Sequence, residues 1–175
     1  FEAGACQVTH LFNAMPAFSH RAPGVIGAAM DYGADAELIC DGIHVHPSAV
    51  RSALKLFGED HIIFVSDSIR ATGLSDGTYL LGGLEVSVKG KEALLEDGTI
   101  AGSVTNLMDC MRVAVKEMGI PLETAVKCAA VNPAKRIGIF EKCGSIAAGK
   151  WANLVLLKEE DLSTTGVWVK GKRVV

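Results

Sequence analysis

No run of apolar residues in this chain approaches the ~18 that a membrane-crossing helix needs, so neither a span nor a membrane partner is expected. No signal-peptide pattern opens it. The first residue is Phe1 rather than methionine, however, so the natural N-terminus is expected upstream and the missing signal says little. There is no basic block: the net charge of -3 is spread over mixed signs, which argues against nucleic acid as the main partner. A small anionic ligand remains compatible, because local charge at a site can oppose the net charge. There is no cysteine pairing pattern either. The five cysteines, Cys6, Cys40, Cys110, Cys128 and Cys143, are odd in number, scattered and without a C-x-x-C pair. That excludes a disulfide framework or zinc knuckle and leaves reduced thiols of a cytoplasmic protein as the plain reading. No internal repeat or low-complexity segment is present.

What remains is the composition of a soluble globular protein, 49% hydrophobic and 21% charged over 175 residues. That length holds one ordinary domain and a small appendage. Cys6 to Thr9 is strand-compatible and is followed by His10. Pro16 to Gly24, rich in Pro, Ser, His and Gly, is a loop, and Gly27 to Met30 starts a helix. Ala36 to Cys40 is an apolar run that reaches the turn pair Asp41-Gly42. Pro47 opens a helix, with Val50, Leu54 and Phe57 at helical spacing and Gly58 as its C-terminal cap. Ile62 to Val65 is continuously apolar, as in a strand buried on both faces. The order is therefore strand, helix, strand, with polar residues just past each strand. Three such strand ends in a row are how a parallel α/β barrel assembles a site.

From Gly73 to Gly102 the pattern changes. Leu84, Val86 and Val88 alternate, with turn pairs at Asp76-Gly77, Lys89-Gly90 and Asp97-Gly98, which predicts a β-hairpin inserted between a strand and its helix. A helix is expected over Ser103 to Met118, another from Pro121 to about Ala130, and a short one from Asn132-Pro133. Beyond Gly144 the chain turns to strands, with Asn153 to Leu157 apolar and a hairpin around Lys170-Gly171. This tail is too short to fold alone and is expected to join a sheet begun elsewhere.

Several polar residues stand out at these strand ends. His10 is either bonded within its loop or a site residue, and the neighbouring Thr9 and Asn13 suit a polar site. His44 and His46 have strand-like spacing that could set both on one face as a metal pair. Pro47 follows at once, so His46 equally well turns into the next helix. His20 and His61 read as ordinary loop or strand-start residues. Asp67 is the sharpest candidate: a carboxylate straight after four apolar residues is costly to bury without a partner. At a barrel mouth it can accept a proton from an attacking water. The alternative is a turn or capping aspartate. Asp41, before Gly42, reads as a turn residue. Arg21 either grips an anion such as phosphate or is simply solvated. Asn13 and Ala14 can offer amide and backbone donors to the same anion.

Taken together, Thr9-His10-Leu11-Phe12-Asn13-Ala14-Met15, then Asp41-Gly42-Ile43-His44-Val45-His46-Pro47, then Val65-Ser66-Asp67, resemble the N-acetylglucosamine-6-phosphate deacetylase family of the amidohydrolase superfamily. The stretch from Gly144 to Val155 resembles the superfamily's C-terminal signature, where the chain leaves the barrel for a small β-sandwich. The resemblance implies an α/β fold: about strands six to eight of a (β/α)8 TIM-type barrel over residues 1–143, then the last strands of the sandwich over 144–175. It implies metal-dependent removal of the acetyl group from N-acetylglucosamine-6-phosphate, with a divalent ion, zinc or iron. His10 would be a metal ligand. Asn13, the Ala14 backbone and Arg21 would hold the sugar phosphate, Arg21 across the interface of a homodimer. His44 would contact the substrate, Asp67 would be general base and then general acid, and Gly102-Ser103 would line the sugar pocket.

The family's metal site also needs a glutamate and a second histidine from earlier strands, which this chain does not contain. The chain alone is therefore expected to be inactive and poor at holding metal. Two other readings stay open. One is another amidohydrolase, dihydroorotase-like or deaminase-like, acting on a cyclic amide or an amine. The other is a non-catalytic half-barrel scaffold, against which the retained His10, His44 and Asp67 speak.

Overall fold

A computed structural model describes all 175 residues. The chain is a mixed α/β protein with three separate three-stranded sheets. It divides into two compact units, Phe1–Ala129 and Ala130–Val175. No helix is long and apolar enough to cross a membrane.

The first unit is founded on a parallel sheet in the order β1 (Gln7–Val8), β2 (Asp35–Ile39), β3 (Ile62–Val65). Gln7 pairs with Asp35, and Ala36 through Ile39 pair with Ile62 through Val65. Parallel neighbours need a crossover, and helices supply both. α1 (Gly24–Asp31) links β1 to β2, and α2 (Pro47–Phe57) links β2 to β3. Leu38, Ile39, Ile62, Phe64, Ile26 and Val50 are all but inaccessible to solvent. Such two-sided burial is why β3 reads as an unbroken apolar run.

The ends of α2 follow its sequence. Pro47 occupies the first turn, where its missing N–H costs nothing. His46 is the N-cap, its ring Nδ1 accepting the Ser48 amide at 3.2 Å. Gly58 closes the helix at φ +78°, a conformation that side chains disfavour.

After β3 comes an antiparallel meander of β4 (Gly77–Leu81), β5 (Leu84–Lys89) and β6 (Glu92–Leu94). That is one strand more than the expected hairpin, because the residues after the Lys89-Gly90 turn pair back onto β5, Ala93 against Val88. The meander has its own small core of Ala71, Val86, Val88, Ala93 and Ala101, with Ile69, Tyr79, Leu95 and Val104 against it. Then come α3 (Leu107–Lys116), α4 (Leu122–Val126), a π-helical turn (Lys127–Val131) and α5 (Asn132–Arg136). α3 starts four residues later than expected. Ser103 is tied back to the end of β3, and Asn106 is the cap, its side chain accepting the Asp109 amide at 3.0 Å.

The second unit contains α5 and the antiparallel sheet β7 (Leu154–Leu157), β8 (Thr164–Val169), β9 (Lys172–Arg173). It begins at Ala130, ahead of the expected boundary at 143/144. The physical reason is local packing. A Cβ on Gly144 would lie 2.6 Å from Ala134 Cβ and 3.0 Å from the Ala130 carbonyl. The Trp151 amide donates to the Lys142 carbonyl at 2.8 Å.

Candidate active site

Parallel pairing puts the C-terminal ends of β1, β2 and β3 along one edge of the sheet. His10, the Asp41–His44 turn and Asp67 are the residues that emerge there.

At the end of β1 the backbone is strained. His10 (φ +33°), Phe12 (φ +77°) and Ala14 (φ +54°) are all left-handed. Each such non-glycine residue costs on the order of 1–3 kcal/mol, and such strain gathers at functional sites. The turn is held from outside and from within. The Leu11 amide donates to the Glu37 carbonyl at 2.7 Å, and the His10 amide approaches the Glu37 carboxylate at 3.4 Å. Gln7 donates its side-chain amide to the same carboxylate. Asn13 spends its own side-chain N–H donors on the carbonyls of His10 and Leu11, at 3.3 and 3.2 Å. Asn13 therefore shapes the turn, and its amide is not the free anion donor that the sequence suggests. Within this turn, His10 Nδ1 is buried and has no hydrogen-bond partner. A buried polar atom left in that state calls for an explanation, and a ligand is one.

At the end of β2, Asp41 is only 7% exposed. It accepts the amides of Ile43 and His44 at 2.9 Å each, and its second oxygen lies 2.7 Å from His44 Nδ1. Burial alone would raise this carboxyl. The hydrogen bonds from the His44 ring and from the two amides outweigh burial and hold it below the ordinary aspartate range. The His44 ring is bound through Nδ1 to Asp41, and the His46 ring caps α2 through its own Nδ1.

At the end of β3, Asp67 is left-handed (φ +50°) and exposed, not buried as its apolar run suggests. The returning end of the meander docks beside it. The Ser103 amide donates to the Asp67 carbonyl at 2.8 Å, the Ile69 amide donates to the Ser103 carbonyl at 2.9 Å, and the Ser103 hydroxyl bonds to the Ser66 carbonyl. Gly102 (φ +74°) fits closely here, since a Cβ would stand 2.7 Å from Ile69 Cγ2 and 3.0 Å from the Asp67 carbonyl. The fold thus brings Gly102 and Ser103 to Asp67. Arg21 is exposed in the Ser19–Ala22 turn, and no hydrogen bond or ion pair ties it to these residues.

A cleft of about 390 Å³ opens near the β2 end, lined by Asp41, Ile43, Lys91, Thr105, Asp109 and Arg112 among others, and it includes neither His10 nor Asp67. No three His, Cys, Asp or Glu side chains of the chain are arranged to hold a metal ion. The unpartnered His10 nitrogen fits one ligand position, but the residues present do not make a metal site by themselves.

The model of the amidohydrolase family matches residues 5–174. This chain belongs to that family. The amidohydrolase is 43% identical to the N-acetylglucosamine-6-phosphate deacetylase of Bacillus subtilis, over 91% of this chain and 40% of the relative. It is 34% identical to a putative N-acetylgalactosamine-6-phosphate deacetylase of Escherichia coli K12, over 93% of this chain and 97% of that one. Among solved structures it resembles a mutant N-acetyl-D-glucosamine-6-phosphate deacetylase of Mycobacterium smegmatis in complex with N-acetyl-D-glucosamine-6-phosphate. The TM-score is 0.93 at 38% identity, over 99% of this chain and 46% of that one. The chain thus spans about two fifths of the length of the Bacillus relative.

Sequence reasoning passed over Glu37 here and read Asp41 only as the turn residue that it also is. Glu37 interrupts the apolar run from Ala36 to Cys40, and that interruption was its signal. Asp41 stands three residues before His44, the spacing of a side chain that folds back over its own turn.

Proposed function

We propose that this amidohydrolase chain carries part of the active site of an enzyme that hydrolyses the N-acetyl group of N-acetylglucosamine-6-phosphate to glucosamine-6-phosphate and acetate. The similarity to the Bacillus subtilis deacetylase along 91% of the chain carries this reading. In it, β1, β2 and β3 are strands six to eight of the barrel, and the tail belongs to the small β-sandwich.

Asp67 suits a general base that later acts as acid: it is exposed at a strand end and open to solvent. It takes a proton from the attacking water and returns it to the leaving amine. His44 contacts the substrate. The turn held by Asn13 presents the Ala14 backbone to the phosphate, and Arg21 binds the same phosphate across a homodimer interface. Gly102 and Ser103 border the sugar beside Asp67. The enzyme is cytoplasmic in this reading, in keeping with five cysteines that form no disulfide. Amidohydrolases are in general metal-dependent. His10 is proposed as one ligand of a divalent ion, zinc or iron, and the other ligands lie outside this chain.

The test is acetate release from N-acetylglucosamine-6-phosphate with added zinc or iron. The 175-residue chain alone is expected to give no turnover. A chimera in which it replaces the corresponding segment of the Bacillus subtilis deacetylase is expected to turn over. A folded but inactive chimera would refute the assignment. A preference for N-acetylgalactosamine-6-phosphate would move it to the sugar named for the Escherichia coli relative, and indifference to the 6-phosphate would favour another amidohydrolase.

A further inference from the structure

We infer that Asp41 is a positioning residue: it holds the Nδ1 edge of the His44 ring, so that Nε2 is the nitrogen offered to a bound substrate. This rests on the reading above, in which His44 contacts the substrate.

The geometry carries the inference. Asp41 Oδ2 lies 2.7 Å from His44 Nδ1, and both side chains are only 5% exposed. The acid has no freedom of its own, because its other oxygen accepts the backbone amides of Ile43 and His44. The loop therefore fixes the carboxylate, and the carboxylate fixes the ring. An ionised carboxylate only accepts hydrogen bonds, so the nitrogen facing it must carry the proton. Asp41 is held in the ionised form by those same bonds. One ring nitrogen is left. In a neutral ring Nε2 accepts a hydrogen bond, and in a charged ring it donates one. In both cases the substrate meets Nε2, at an orientation set before binding. The His46 ring lies at a different place, its Nδ1 capping α2.

A turn aspartate with a purely structural role would need only its two backbone bonds. Asp41→Asn separates the roles. An asparagine oxygen still accepts the two amides, while control of the ring by an anion is lost. Nitrogen-15 NMR of the histidine-labelled chain reads the ring directly. The proton on His44 is expected at Nδ1 in the wild type and to shift toward Nε2 in Asp41→Asn. In the acetate-releasing chimera, Asp41→Asn is expected to lower kcat about tenfold or more, with KM within about threefold. An unprotonated Nδ1 in the wild type overturns the inference and needs no variant to be seen. Unchanged kcat in Asp41→Asn overturns it as well. If the wild-type chimera releases no acetate, the functional reading fails and the NMR result alone decides the ring.

Discussion

The parallel sheet β1–β2–β3 and the antiparallel sheet β4–β5–β6 each have three strands and lie in the same unit, yet they handle burial in opposite ways. In β3, Ile62, Ile63 and Phe64 are buried in succession, whereas along β5 only Val86 and Val88 are buried and their neighbours face water. A parallel sheet is buried on both faces, so its polar residues are driven to the strand ends. An antiparallel meander keeps one face wet and can close on a small core of its own. The proposed chemistry therefore lies where the parallel strands stop. The meander contributes only its returning end, Gly102-Ser103, which is hydrogen-bonded to the end of β3.

The largest effect is expected at the strand ends. Asp67→Asn in the chimera is expected to lower acetate release by about 10²–10⁴-fold and leave urea unfolding unchanged, because Asp67 is exposed. A normal rate would remove the β3 end from the mechanism. Next in size is the core of the parallel sheet. Phe64→Ala, at a residue 2% exposed, is expected to cost about 3–5 kcal/mol in urea unfolding. A loss below 1 kcal/mol would mean that β3 is not packed on both faces.

The seam between the sheets comes third. Gly102→Ala forces a Cβ into a left-handed position against Ile69 and the Asp67 carbonyl. It is expected to cost about 1–3 kcal/mol and to lower acetate release through the displaced Asp67 backbone. Wild-type behaviour would show that the meander does not support Asp67.

The acid limb is smaller. The Asp41 carboxyl is held below its unfolded value of about 3.9. Its contribution to stability is therefore present above that pH and is lost as pH falls through the lower, folded value. Asp41→Asn should flatten the decline in stability below about pH 4, and an unchanged acid limb would remove this assignment. The smallest effect is expected on the wet face of the meander. Leu80→Ser, at a side chain 54% exposed, should change stability by no more than about 0.5 kcal/mol. A larger loss would show that this face is covered.

Much of the parallel sheet could be read from the chain, because continuous apolar runs with glycine, proline and helical spacing between them have few other meanings. Pro47, Gly58 and Ile62–Val65 each stand where their local chemistry requires. The meander was read one strand short, since Glu92–Leu94 has too few residues to declare itself. At the candidate site, His10, His44 and Asp67 were named from their position after a strand. The contact between His10 and Glu37 was not, because the spacing shows that Glu37 interrupts an apolar run but not which residue across the sheet it meets.

The sequence by itself determined the order of strands and helices, the residues that end each strand and the family. These depend on hydrophobic period, caps and motif, which are properties of neighbours along the chain. Only the tertiary structure decided that His10, Ala14 and Asp67 are left-handed, that Asp41 binds His44 while His46 caps α2, and that Gly102-Ser103 returns to Asp67. Each of those depends on which distant groups meet when the strands pair, and only the folded packing fixes that.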